Sequence, residues 1–105
     1  MNLQKSTRHE SKKLRESARG KECQIRIPGV CCGDNATVVL CHLNGAGAGK
    51  KHSDLLASYG CHKCHAACDG ALKTAYHSDE LKLMLLEGIM RTQQIMLDDG
   101  LITLA

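Results

Sequence analysis

Cys61 and Cys64 are two residues apart and are followed directly by His65, in a chain that carries seven cysteines and six histidines. Two thiolates at that spacing can reach one tetrahedral Zn²⁺, each sulfur about 2.3 Å from the ion, so the pair is half of a metal site. The other half is expected from Cys23 and Cys31. They flank Pro28-Gly29, and a chain that folds back at that turn brings them together. The expected structural zinc ligands are therefore Cys23, Cys31, Cys61 and Cys64. Cys32 would point to the opposite face of an extended chain, and Cys32 and Cys68 are expected as small buried thiols. A redox-active Cys-x-x-Cys is the alternative, but the chain lacks the βαβ pattern on which such a site is built.

Further groups with chemical potential surround this block. Cys41 and His42 end a β-branched run, Thr37-Val38-Val39-Leu40, and His65 and Asp69 fall at i and i+4, on one face of a helix. Residues 1–21 hold seven Lys and Arg against two Glu, a net of +5, while the remainder has seven against nine, a net of −2. A basic arm that includes Arg19 and Lys21 suits a polyanionic partner, because Lys and Arg neutralise phosphates and release counterions. Lys50 and Lys51 follow a glycine-rich loop over residues 44–49 and can reach the same partner. That loop lacks the Gly-Lys-Ser/Thr order of a nucleotide-binding P-loop.

The elements that must position these groups are few. The chain has 105 residues, no Phe, no Trp and two Tyr, so it forms one small domain whose thin core needs a metal or a cross-link. An odd cysteine count and the lack of an apolar leader favour metal over disulfides and a reducing, cytoplasmic setting. No apolar run approaches the roughly 18 residues of a membrane span. The alternation Gln24-Ile25-Arg26-Ile27 reads as one strand and Thr37–Leu40 as a second, a hairpin-like pair. A short helix is expected over Glu10–Ala18 and another over Ala66–Ala75. The strongest helix runs over about residues 79–98, with Ser78 as its cap, Gly100 as its stop and Leu81, Leu85, Ile89, Thr92, Ile95 and Met96 as its core stripe. The expected organisation is a basic arm, residues 1–21, before an α+β domain, residues 22–105.

Leu40-Cys41-His42, a glycine-rich loop and then Cys61-x-x-Cys64-His65 together resemble the HNH, or ββα-metal, endonucleases. Two stretches are more specific: Ala18-Arg19-Gly20-Lys21-Glu22-Cys23-Gln24-Ile25-Arg26-Ile27-Pro28-Gly29-Val30-Cys31 and Leu86-Glu87-Gly88-Ile89-Met90-Arg91-Thr92-Gln93. They resemble the small YbcO-like nucleases of lambdoid prophages, whose relatives include a recombinase-dependent phage nuclease. The likeness covers roughly residues 14–102.

That resemblance implies a ββα-metal fold stabilised by zinc, with a C-terminal helix. It implies His42 as general base, and His65 and Asp69 as ligands of a catalytic Mg²⁺ or another divalent ion. It also implies DNA as substrate, 5′-phosphate products and an association with a recombinase filament. The family's middle Asn has no counterpart at its usual place. Asp54 is the nearest candidate, and it could accept the second ring N–H of His42 and fix its tautomer. Cys41 stands where many members carry a metal ligand, and its role as ligand or packing residue stays open. A catalytically silent zinc module that binds nucleic acid or a recombination protein is the alternative function. A redox or metal-sensing switch built on Cys32, Cys41 and Cys68 is a third.

Overall fold

In the computed structural model, which describes residues 9–43 and 52–104, the first element begins at Ser11. The Ser11 hydroxyl accepts from the Leu14 N–H at 3.2 Å, satisfying one of the donors that a helix start leaves open. The helix it starts, α1 (Lys12–Ser17), is ended by Gly20, whose φ of +79° is left-handed backbone. Asp34 caps a single 3₁₀ turn, Asn35–Thr37, that leads into β1 (Val39–His42). That strand pairs antiparallel with β2 (Ala57–Gly60), with Leu40 opposite Tyr59 and His42 opposite Ala57. Two helices follow, α2 (His62–Cys68) and α3 (Ser78–Asp98).

A two-stranded sheet cannot bury both faces alone, and here each face is covered by a helix. Tyr59 turns towards α1, where its hydroxyl and the Ser17 hydroxyl lie 2.8 Å apart. Ser58, on the opposite face, meets α3, and the Thr92 hydroxyl there accepts from the Tyr59 backbone N–H at 3.0 Å. All four residues of β2 are buried. The outer edge of β2 is occupied by the Cys23–Cys31 loop, since Gln24 donates its backbone N–H to the Tyr59 carbonyl at 2.7 Å. Arg91 of α3 then donates to the Gln24 carbonyl at 2.5 Å, tying loop, sheet and helix together.

Several expected boundaries move. Gln24–Ile27 is not a strand: Arg26 takes a positive φ of 56°, bending the loop while Ile25 and Ile27 are still buried. The true partner of β1 is Ala57–Gly60, and β1 itself begins at Val39 rather than Thr37. The helix expected over Ala66–Ala75 starts earlier, at His62, because Cys61 caps it, and it stops before Gly70, which has a φ of +81°. The first helix is shorter than Glu10–Ala18. His77 rather than Ser78 is the cap of α3, with Glu80 reaching back to accept the His77 N–H at 3.0 Å. The core stripe of α3 has Leu85, Ile89, Thr92 and Met96 buried, with Leu81 and Ile95 half-buried. Residues 9–18 lie against the sheet, with Leu14 and Ala18 in the core. Among the described residues no helix is long and apolar enough to cross a membrane.

Gly88 is a point of close approach between α3 and β2. A Cβ there would stand 2.5 Å from the Ser58 hydroxyl oxygen and 3.0 Å from the Gln24 carbonyl oxygen. Overpacking of a tight contact costs about 1–3 kcal/mol, against at most about 1 kcal/mol gained from the better helix propensity of Ala. Gly88→Ala should therefore lower stability in urea titration, and an unchanged or raised midpoint would contradict this close packing.

Candidate functional site

The Cys23–Cys31 loop and the start of α2 converge on four sulfurs. The Sγ atoms of Cys23, Cys31, Cys61 and Cys64 all lie within 4.8 Å of one another. Cys61 and Cys31 are 3.9 Å apart, too far for a disulfide and close to the roughly 3.8 Å edge of a tetrahedron with 2.3 Å metal–sulfur bonds. Three of the four are buried and Cys31 is exposed. The Cys64 N–H donates to the Cys61 sulfur at 3.5 Å, so the cap of α2 is itself a cluster member. A hydrogen bond from the Cys64 thiol holds Cys23 down to about 4, and the same bond pushes Cys64 up. One sulfur of that pair is thus held as the thiolate and the other as the thiol that donates to it, and the four cysteines are placed to hold a metal ion such as zinc.

A second centre lies on the α1 side of the sheet. His42, at the end of β1, has its Nε2 atom 2.7 Å from Asp54 Oδ1, and both side chains are almost wholly enclosed. Asp54 Oδ2 accepts from the Ser11 backbone N–H at 2.6 Å and from Arg15 Nη1 at 3.0 Å. Burial pushes the Asp54 carboxyl up, but the Ser11 N–H, the His42 ring and the Arg15 charge together outweigh it and hold the carboxyl below its ordinary value. An ionised Asp54 accepts Nε2–H from His42, which selects the tautomer whose lone pair sits on Nδ1.

At the end of α2, His65 Nε2 and Oδ2 of the C-cap residue Asp69 are 3.0 Å apart, both partly exposed. Among the described residues, the four cysteines are the only group of three or more Cys, His, Asp and Glu with ligand atoms this close together. His65 and Asp69 therefore form a two-residue pair that neither His42 nor Cys41 joins. Cys41 alternates with His42 along β1 and is buried on the other face, its sulfur 3.8 Å from the Val39 and Gly60 carbonyls. Burial first, and the nearby Cys68 and Cys23 after it, push this thiol far up, so it stays protonated. Cys68 is half-buried and pushed up to about 11, mainly by burial. Cys32, expected to be buried, is exposed, with its sulfur 3.8 Å from His62 Nδ1. It follows Cys31 immediately and so shares that residue's place at the rim of the cluster.

The basic residues separate. Arg19 lines a groove beside α1, whereas Lys21 pairs with Asp99 at 2.6 Å and ties the N-terminal segment to the end of α3. Lys50 and Lys51 lie outside the described residues. Arg15 and Ser11, both in contact with Asp54, are the site residues that sequence reasoning missed. Arg15 was visible only as one of seven basic residues in the arm, and nothing in its spacing points to a carboxylate 39 positions later.

Asp54 should register in acid stability. Its depressed carboxyl contributes stability above the ordinary aspartate value of about 3.9 and loses it as pH falls through the folded-state value. Asp54→Asn should cost about 1–3 kcal/mol at pH 7, the scale of a hydrogen bond to a buried charge, with the difference from wild type shrinking below about pH 4. A deficit of the same size at pH 7 and pH 3 would contradict an ionised Asp54.

Residues 12–101 match the family model described as "Putative nuclease YbcO". A protein of that description from Escherichia coli K12 is 46% identical over 94 residues, covering 85% of this chain and 95% of the relative. Its counterpart from Enterobacteria phage 82 matches to the same extent. A solved structure described as a bacteriophage protein from Escherichia coli K-12 superposes with a TM-score of 0.71 at 41% identity, covering 84% of this chain and all of that one. The four cysteines, His42, Asp54, His65 and Asp69 all fall inside the matched segment, and the chain belongs to the YbcO family.

Proposed function

We propose that this chain is a metal-dependent DNA endonuclease of the HNH, or ββα-metal, type. The observation that carries the reading is the His42–Asp54 pair, 2.7 Å apart at the end of β1. It is followed in the chain by β2 and by the His65–Asp69 pair at the end of α2. That is the strand–strand–helix order of the superfamily, and the description of the relatives as nucleases points the same way.

In this reading zinc occupies the four cysteines and is structural, since all four positions of a tetrahedral ion are taken by protein sulfur. The Asp54 carboxylate orients His42, whose Nδ1 removes a proton from a water molecule. The water oxygen attacks phosphorus, the bond to the 3′ oxygen breaks, and that oxygen takes a proton from solvent, giving a 3′-hydroxyl on one fragment and a 5′-phosphate on the other. An imidazole nitrogen and a carboxylate oxygen, both partly exposed, suit Mg²⁺ or another divalent ion that keeps several waters. His65 and Asp69 would hold such an ion, and it would supply neutralisation of the charge that grows on the phosphate during cleavage.

Arg19, Lys21, Lys50 and Lys51 contact the DNA backbone, with Lys21 also engaged by Asp99. Free thiols and a phage relative favour a cytoplasmic setting in phage or prophage recombination, where a recombinase filament is the partner that delivers substrate.

Base and ligand separate experimentally. His42→Ala should retain DNA and divalent-metal binding and lose about 10²-fold or more in cleavage of supercoiled, linear or single-stranded DNA with Mg²⁺ or Mn²⁺. His65→Ala should lose cleavage together with its divalent ion. Equal cleavage by His42→Ala and wild type would overturn the base. No cleavage by wild type in any metal, DNA form or recombinase condition would leave a zinc module that only binds.

A further inference from the structure

The base pair His42–Asp54 is anchored by a residue that also faces solvent. Arg15 donates one of its five N–H groups to Asp54, yet its side chain remains 45% exposed. It shares a wall with Lys12 and Arg19, three residues before and four after, one stripe along α1 and the turn that follows it. That wall, with Val38 and with Val39 at the start of β1, encloses an open groove of about 380 Å³. Val38 and Val39 supply the apolar part of the lining; Val38 is buried and Val39 is 45% exposed overall. Glu16 is the one acid lining the groove, and it lies 3.8 Å from Lys12.

We propose that this groove between α1 and β1 is the track for the sugar–phosphate backbone of one DNA strand, and that Arg15 spans from Asp54 to a phosphate lying in it. A lining that is basic in one part and apolar in another fits the two sides of a backbone, phosphate oxygens on one and deoxyribose on the other. Lys12 and Arg15 stand about one helical turn apart on α1, and Arg19 follows in the turn after it. Three cations in a row along one wall can meet phosphates spaced along a strand. Arg15 is a positioning residue in this arrangement: one end of its fork holds the carboxylate that orients His42, and the remaining donors are available to the substrate. Binding of DNA then fixes Arg15 and, through Asp54, the base. The inference rests on reading the chain as a nuclease and names the surface by which it holds its substrate.

The test is fluorescence anisotropy of a mixed-sequence duplex and of a single strand, without added divalent cation, between 50 and 200 mM salt, alongside cleavage kinetics. Lys12→Gln and Arg19→Gln should each flatten the slope of log K against log salt by about one and raise KM with kcat little changed. Lys73→Gln, which changes net charge equally but lies outside the groove, should leave the slope as in wild type. Arg15→Lys keeps the charge beside Asp54 but loses the fork, and it should raise KM and lower kcat together. Wild type that binds and cleaves DNA while the Lys12 and Arg19 variants match it in slope and KM would overturn the groove and leave the nuclease reading intact. An Arg15→Lys change confined to thermal stability, with both kinetic constants unchanged, would overturn the positioning role. Wild type that neither binds nor cleaves would overturn the nuclease reading and this inference with it.

Discussion

Four sulfurs within 4.8 Å of one another are the constraint on which the rest of this fold depends. The chain has no Phe and no Trp, and its sheet is two strands of four residues, too little apolar surface to hold the ends together unaided. Cys23 and Cys31 pin a bent loop to Cys61 and Cys64, and that loop donates the hydrogen bond that covers the edge of β2. The same clamp sets the start of α2, since Cys61 is both cluster member and helix cap. Where α2 starts decides where His65 and Asp69 point. A metal held by four cysteinates contributes about 10 kcal/mol or more to folding in small modules, as much as the whole stability margin of a typical domain.

Around that clamp the sheet serves as a divider. Alternation along β1 sends Cys41 to the face shared with α2 and α3, and His42 to the face shared with α1. Each destination has its own chemistry. Cys41 is sealed among carbonyls and neutral, whereas His42 meets a carboxylate kept ionised by a backbone N–H and a guanidinium. The N-terminal segment is therefore part of the site: Leu14 packs in the core and Ser11 and Arg15 hold Asp54.

The sequence was legible where residue type dictates geometry. Cysteine spacing around Pro28-Gly29 and Cys61-x-x-Cys64 anticipates the cluster, because few side chains other than metal ligands need such spacing. The apolar stripe and caps of α3 mark its length closely. Asp54 beside His42 was legible only through likeness to a family, since no local pattern links residues twelve apart across a glycine-rich stretch of sequence. β2 was not legible at all. Ala57-Ser58-Tyr59-Gly60 has low strand propensity, and it is a strand because β1, the cysteine loop and α3 all bond to it. Gln24–Ile27 shows the reverse, an alternating pattern overridden by the need to bend two cysteines onto one centre.

The most direct measurement on the central claim is X-ray absorption at the zinc edge of the purified, folded chain. One zinc per chain with four sulfur neighbours at about 2.3 Å is the predicted result, with folding lost when Cys61 becomes Ser. A folded chain without bound metal, or an ion coordinated by nitrogen and oxygen in place of the four sulfurs, would contradict it.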